Sequence, residues 1–123
     1  MHKNTSHNFW RLAWAAYLLV LCIASLSPLA LPQTVPNEDK YMHFLAYAVL
    51  ALLWPAKKGR ELRVVLYASA IGVLLEIGQG VLPINRFMDA WDALANASGA
   101  ALGMISFAFF RVGARKVHDG RLS

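Results

Sequence analysis

Apolar residues are concentrated in four long runs separated by short polar segments. The first run, residues 12–31, contains no charged residue and, at 1.5 Å per residue, is long enough to cross a bilayer core of roughly 30 Å. The later runs cover residues 41–56, 64–82 and 88–110. The second run is the shortest, and it reaches both interfaces if the flanking lysines extend to the headgroups. The pattern predicts an all-α fold, with four transmembrane helices in a single membrane domain that covers residues 1–123.

The segments between the runs carry turn and capping signals. Pro32 and Pro36 are expected to end the first helix, and Asn37, Glu38 and Asp39 can cap the second. The basic tail that follows the fourth run is expected to fray. The basic start of the first run also resembles a signal peptide, but the run is long for one and lacks a good cleavage site, so we predict a retained helix.

Composition supports the membrane assignment. Apolar residues make up 58% of the chain and charged residues only 15%. The net charge of +5 would suit nucleic acid, but the basic residues flank apolar runs and no nucleic-acid motif is present. We therefore expect membrane lipid, and not nucleic acid, as a partner. The single cysteine, Cys22, excludes a disulfide within the chain and argues against a cysteine-based metal site.

The distribution of lysine and arginine predicts the orientation of the helices. If four helices cross the membrane, both termini and the 57–63 loop share one side. Ten of the twelve basic residues would lie on that side: Lys3, Arg11, Lys57, Lys58, Arg60, Arg63, Arg111, Arg115, Lys116 and Arg121. Only Lys40 and Arg86 would lie on the other side. Because cytoplasmic loops carry the excess of positive charge, we predict that both termini are cytoplasmic.

Polar residues interrupt the apolar runs at one depth. In the predicted topology, the start of the second helix, the end of the third and the start of the fourth all lie on the outer side. The polar residues placed there are Lys40, His43, Glu76, Gln79, Arg86, Asp89, Asp92 and Asn96. Ionisable residues are costly in a membrane and by default indicate a functional site. Each of these three helices carries its polar residues at intervals of three or four, which places them on a single face of the helix. We therefore predict that helices two to four share a polar core and that the first helix packs outside it.

Small residues follow the polar residues along the same face of the fourth run. Gly99 and Gly103 continue the face that begins with Asp89, Asp92 and Asn96. Small residues at this spacing allow two helix backbones to approach closely. We expect both glycines to be packing residues.

These motifs resemble those of the VanZ-like family. The resemblance rests on Asp39-Lys40-x-x-His43-Phe44-x-x-Tyr47, on Glu76-x-x-Gln79 and on Arg86-x-x-Asp89-x-x-Asp92-x-x-x-Asn96-x-x-Gly99-x-x-x-Gly103. It implies a multi-pass protein of the bacterial inner membrane. The family takes its name from a teicoplanin-resistance protein, so the resemblance also implies a link to glycopeptide resistance.

The residue types suggest chemical roles. His43, Glu76 and Asp92 are candidate catalytic residues for proton transfer. The candidate substrate-binding residues are Lys40, Gln79, Arg86, Asp89 and Asn96, and the planar fork of Arg86 suits a phosphate or carboxylate. Each also has a structural interpretation. Glu76 can pair with Arg86, Lys40 or Asn96, and one of the aspartates is expected to cap the fourth helix. Tyr47 is expected to belong to the core.

A cofactor is not required by this pattern. His43, Glu76, Asp89 and Asp92 could together bind a metal, but no close ligand spacing demands one, so we predict neither a metal nor another cofactor.

Two classes of function fit the sequence. One is an extracytoplasmic-side site that binds or processes an anionic, lipid-linked envelope component. The other is a non-catalytic membrane protein whose polar cluster fixes helix packing or docks a partner. A cleft lined by the polar residues would favour the first class, and a closed, mutually paired cluster would favour the second. Enzymatic activity, substrate and oligomeric state are left open by the sequence.

Overall fold

Helices account for all the regular secondary structure in the part of the chain that the structure describes. The structure is a computed structural model, and it describes residues 2–29, 32, 34–55 and 59–120. The four helices are α1 (His2–Leu26), α2 (Glu38–Leu53), α3 (Glu61–Val81) and α4 (Ala90–Gly120). The predicted all-α class with four helices is confirmed.

Three of the helices are long and apolar enough to cross a membrane. These stretches are Thr5–Leu26, Glu61–Val81 and Ala90–His118. The helix α2 is shorter, with 16 residues. Large apolar side chains are exposed on all four helices, among them Leu19, Leu45, Leu74 and Leu102. An exposed apolar surface of this extent suits contact with lipid, and it is consistent with a membrane protein.

The helix boundaries differ from the predicted runs because hydropathy marks a span and not a helix. The helix α1 begins at His2, ten residues before the predicted span, and ends at Leu26, just before the Ser27-Pro28 pair. The residue before a proline disfavours helical dihedrals, which explains this end. The helix α4 continues beyond the predicted span to Gly120, where fraying was expected. Residues 30–31, 56–58 and 121, on which parts of the predicted spans and loop charges fall, lie outside the described residues.

The close approach of α2 and α4 depends on two glycines. A Cβ atom at Gly99 would collide with the carbonyl group of Phe44, and one at Gly103 would lie 2.6 Å from the carbonyl oxygen of Ala48. The expectation that both glycines are packing residues is confirmed. The hydrophobic core beside this contact consists of Tyr47, Leu50, Ala51, Val64, Ala68, Ala100 and Met104.

The helix α1 packs against the outside of this arrangement. The hydroxyl of Tyr17 donates to the carbonyl oxygen of Ala46 on α2 at 2.8 Å. The rings of Trp14 and Trp54 are 4.7 Å apart and meet edge to face. These contacts bring the end of α1 close to the ends of the other helices where the polar residues lie.

Candidate functional site

Five polar residues are buried in the described part of the chain. They are Ser25, Glu76, Gln79, Asp92 and Asn96. All five lie towards one end of the bundle, which is formed by the last turns of α1 and α3 and by the first turns of α2 and α4. Buried polar groups must find partners or incur a desolvation cost, so the partners of each one define the site.

The imidazole of His43 connects α2 to α4. Its Nδ1 lies 3.0 Å from Oδ1 of Asn96, and its Nε2 lies 3.6 Å from Oδ2 of Asp92. A side-chain carbonyl oxygen can only accept a hydrogen bond, so Nδ1 carries a proton. Nε2 faces the Asp92 carboxylate, and in the neutral ring it is the nitrogen without a proton.

The ammonium group of Lys40 is shared by three carboxylates. Its Nζ lies 3.1 Å from Oδ2 of Asp89, 3.3 Å from Oδ1 of Asp92 and 3.3 Å from Oδ2 of Asp39. This contact with Asp92 uses Oδ1 and leaves Oδ2 directed at His43. With all its close neighbours acidic, Lys40 serves here to compensate charge on the protein itself.

Asp89 joins the end of α3 to the start of α4. Its Oδ1 accepts a hydrogen bond of 2.8 Å from the backbone N–H of Trp91, which caps α4 as predicted for one of the aspartates. The N–H of Trp91 and then the ammonium of Lys40 lower the pKa of Asp89, which precedes α4. Its own backbone N–H donates to Oε2 of Glu76 at 3.1 Å.

Glu76 is a buried carboxylate with one hydrogen-bond donor and no positively charged partner among the described residues. Its residue surface is 2% exposed, and the N–H of Asp89 is its one hydrogen-bond donor among the described residues. Pairing with Arg86, Lys40 or Asn96 was the structural interpretation of Glu76, but each of these three side chains bonds elsewhere. His43, Glu76 and Asp92 each have one nitrogen or carboxylate oxygen in a group of three atoms that all lie within 4.8 Å of one another.

Gln79 and Arg86 are directed towards α1 and not towards this cluster. Gln79 donates to the carbonyl oxygen of Ser25 at 2.8 Å. Arg86 donates through Nε to the oxygen of Ser27 at 2.9 Å and through Nη2 to the oxygen of Leu29 at 3.3 Å. The sequence allowed Arg86 to pair with Glu76, but the ion pairs of the described residues do not include Arg86. The carbonyl of Ser25 lies in the last turn of α1, where carbonyl groups lack intrahelical donors and carry partial negative charge. Ser27 and Leu29 follow the helix, so their carbonyl groups also have no helical donor.

The predicted site residues thus fall into two groups. The acidic cluster, as we call it, contains Lys40, His43, Glu76, Asp89, Asp92 and Asn96. The second group is Gln79 and Arg86 at the end of α1. The backbone carbonyls of α1 were missed by sequence reasoning because that segment has no ionisable side chain. The prolines and serines near residues 25–32 are the only signal that backbone groups become available there.

A cleft of about 420 Å³ lies between α1 and α2. Its walls include the apolar side chains of Leu21, Ala24 and Met42 and the polar side chains of Arg86 and His43. Residues Ser25, Ser27, Leu29, Pro32, Glu38, Asp39 and Ala46 complete the lining. His43 therefore lines the cleft and is also a member of the acidic cluster.

Tyr47 belongs to the core, as expected. The residue is 1% exposed, and its hydroxyl has no hydrogen-bond partner among the described residues. Its ring lies close to Gly72, where an added Cβ would be 3.3 Å from Cε1 of the ring. Gly72 therefore makes room for the ring at the contact between α2 and α3.

Comparison of the chain with protein-family models, with curated proteins and with solved structures found no match.

Proposed function

We propose that this chain is a VanZ-like protein of the bacterial inner membrane that binds an amphiphilic, phosphate-bearing component of the cell envelope. All four helices would cross the membrane with both termini in the cytoplasm. The cleft between α1 and α2 and the acidic cluster would then lie on the extracytoplasmic side, where lipid-linked envelope components are exposed.

The observation that carries the proposal is the composition of the cleft. Leu21, Ala24 and Met42 line it with apolar side chains, and Arg86 and His43 line it with polar ones. An acyl or prenyl chain suits the apolar side chains, and a phosphate suits the guanidinium fork. The segment after α1 uses two of the five N–H donors of Arg86, which leaves donors for a ligand.

The carboxylates in the cleft narrow the class of ligand. Glu38 and Asp39 line the cleft together with Arg86. A purely anionic headgroup would be repelled by them, whereas a sugar or amine offers donors to these acceptors. A lipid-linked sugar phosphate combines an anion for Arg86 with hydroxyl groups for the carboxylates. This class refines the expectation of an anionic envelope component.

Processing of the ligand would depend on His43. Its Nε2 is 3.6 Å from Asp92 Oδ2, and a histidine side chain can serve as a general acid or a general base.

A second candidate function is helix packing without ligand binding. The bonds from His43 to Asn96 and from Gln79 to Ser25 join different helices, as expected for a structural cluster. The two candidates therefore differ in whether the cleft is occupied.

Filling the cleft tests the proposal directly. Ala24 lines the cleft, and Ala24→Trp would occupy it. Ala70→Trp, at an exposed position of α3, places the same side chain outside the cleft. Each protein would be reconstituted in nanodiscs and titrated with a polyprenyl phosphate sugar, with phosphatidylcholine as reference. We expect the parent and Ala70→Trp to bind the sugar phosphate lipid and Ala24→Trp and Arg86→Gln not to bind it. Equal binding by all four proteins would show that the cleft is not the binding site of this lipid.

A cellular assay separates a functional cluster from a structural one. Glu76→Gln keeps the shape of the side chain and its capacity for hydrogen bonds but cannot ionise. We expect Glu76→Gln and His43→Gln to fold and to lose the effect of the parent on glycopeptide susceptibility. If both variants fold and keep full activity in every envelope assay in which deletion has an effect, the cluster serves packing alone.

A further inference from the structure

We propose that His43, Glu76 and Asp92 form a binding site for a divalent transition-metal cation. The three residues come from three different helices, α2, α3 and α4. The inference goes beyond the proposed function, because binding of a lipid in the cleft requires no metal.

The distances within the cluster suit a shared cation better than a direct hydrogen bond. One ligand atom from each residue lies within 4.8 Å of the other two. The separation of 3.6 Å between His43 Nε2 and Asp92 Oδ2 exceeds the usual length of an N–H···O hydrogen bond. Two ligands at about 2.1 Å from one tetrahedral ion are roughly 3.4 Å apart. Small side-chain shifts would therefore bring all three atoms to coordination distance.

Each of the three side chains is fixed by a neighbour that leaves a ligand atom free. Oδ1 of Asn96 accepts from Nδ1 of His43, so in the neutral ring Nε2 is the nitrogen that can bind a metal. Lys40 contacts Oδ1 of Asp92 and leaves Oδ2 directed at the ring. Metal-binding histidines almost always donate their other N–H to such an acceptor, which fixes the tautomer and the ring orientation.

Glu76 provides a second and independent indication of a ligand. The residue is 2% exposed, and its carboxylate accepts a single hydrogen bond, from Asp89, among the described residues. No lysine, arginine or histidine nitrogen of the described part lies within ion-pair distance of it. A buried carboxylate with spare acceptor capacity and no countercharge requires a proton or a cation.

The charges of the cluster indicate a divalent ion. Four carboxylates lie in or beside the cluster, those of Asp39, Glu76, Asp89 and Asp92, and one ammonium group, that of Lys40, contacts three of them. With His43 neutral, the carboxylates exceed the ammonium by three charges, and one divalent cation reduces this excess to one.

The donor set selects among divalent ions. Imidazole nitrogen suits Zn²⁺ and other transition metals, while Mg²⁺ and Ca²⁺ prefer oxygen ligands alone. One imidazole with two carboxylates therefore favours Zn²⁺ or Mn²⁺. Three protein ligands leave a coordination position for water or for a ligand group.

Metal titration of the purified full chain tests the inference. The protein would carry an affinity tag without histidine, be stripped with a chelator and then be titrated with ZnCl₂ and, separately, MnCl₂ in detergent. We expect one ion per chain and a rise in Tm on saturation with at least one of the two metals. His43→Gln, Glu76→Gln and Asp92→Asn should each weaken binding at least about tenfold, which is the lower end of the effect seen for residues that only support metal ligands.

Two matched controls remove the same chemical groups elsewhere. Glu61→Gln removes a carboxylate that pairs with Arg111, and His118→Gln removes a histidine near the end of α4. Both should bind the ion as the parent does. The inference is overturned if the stripped parent takes up neither metal, or if the controls weaken binding as much as the three ligand variants. Uptake by the parent remains informative even if a ligand variant fails to fold.

Metal binding and lipid binding are measured separately: the metal titration contains no envelope lipid, and the lipid titration contains a chelator. If the protein binds the lipid but neither metal, the metal site is contradicted and the proposed function is not. If the protein binds a metal but not the lipid, the proposed function of the cleft is contradicted and the metal site is not.

Discussion

Asn96 holds the imidazole of His43, with Oδ1 of the amide 3.0 Å from Nδ1 of the ring. The amide is on α4 and is 1% exposed, three residues before the glycine that lets α4 approach α2. Because the amide oxygen accepts, Nδ1 is the donor and Nε2 is the nitrogen that faces Asp92. A buried residue outside the lining of the cleft thus decides which nitrogen of His43 is available for a proton or a metal.

The first prediction concerns the energy of this contact. Asn96→Leu removes the acceptor and leaves a largely buried N–H on His43, which costs about 1–3 kcal/mol. His43→Leu similarly leaves the amide oxygen without its donor. In the double variant neither polar group remains, so its loss of stability should be smaller than the sum of the two single losses. Thermal unfolding in detergent measures all four proteins, and additive losses would show that the two residues do not interact.

The second prediction concerns the contact between α2 and α4. Gly99→Leu and Gly103→Leu insert side chains where a Cβ already meets the carbonyl groups of Phe44 and Ala48. Overpacking costs about 1–3 kcal/mol in a core that can adjust, and backbone adjusts less readily than side chains. Both variants should have a lower Tm and a lower yield.

Gly113 provides the control for these variants. It lies on the same helix, and a Cβ there would meet nothing within 4 Å in the described structure. Gly113→Leu should be as stable as the parent. If all three leucine variants unfold at the same temperature, the close contact of α2 and α4 is not required for folding.

The features of the fold that follow from local chemistry could be predicted from the sequence. Four apolar runs indicated four helices, and the three- and four-residue spacing placed Asp92, Asn96 and Gly99 on the face of α4 that meets α2. This succeeded because helical periodicity directly determines which side chains share a face. The capping of α4 by Asp89 followed from the same local rules.

The features that depend on backbone groups of a distant segment could not be predicted. An ion pair between Arg86 and a carboxylate was one interpretation of the sequence, because opposite charges attract, but Arg86 bonds the carbonyl oxygens of Ser27 and Leu29. Every residue has a carbonyl group, so no residue type marks those that become free where a helix ends. The lining of the cleft includes this segment and was not predicted for the same reason.

The third prediction concerns the entry into α2 at acidic pH. Oε2 of Glu38 accepts from the backbone N–H and the hydroxyl of Thr34 at 2.6 and 3.0 Å, and the pKa of Glu38 is lowered by the N–H bond first and the hydroxyl bond second. A lowered pKa means that the ionised group stabilises the folded state above its unfolded pKa. This contribution is lost as the pH falls through the folded pKa.

The contribution of ionised Glu38 is measured by comparing the Tm of the parent with that of Glu38→Gln as the pH is lowered. The parent should have the higher Tm at neutral pH, and its advantage should decline below about pH 4.5, the region of an unperturbed glutamate. A constant difference between the two proteins over the whole range would show that ionisation of Glu38 does not stabilise the start of α2.

The fourth prediction concerns the orientation of the helices, which the ten-to-two distribution of basic residues assigns with both termini in the cytoplasm. In a Cys22→Ala background, single cysteines would be placed at Thr34 before α2, at Ile84 between α3 and α4, and at Gly59 between α2 and α3. An impermeant thiol reagent added to intact spheroplasts should label the first two positions and miss the third. If only Gly59→Cys were labelled, the topology would be the inverse of the predicted one, with both termini outside the cytoplasm. In that case the cleft would open towards the cytoplasm, and an extracytoplasmic envelope component could not be its ligand.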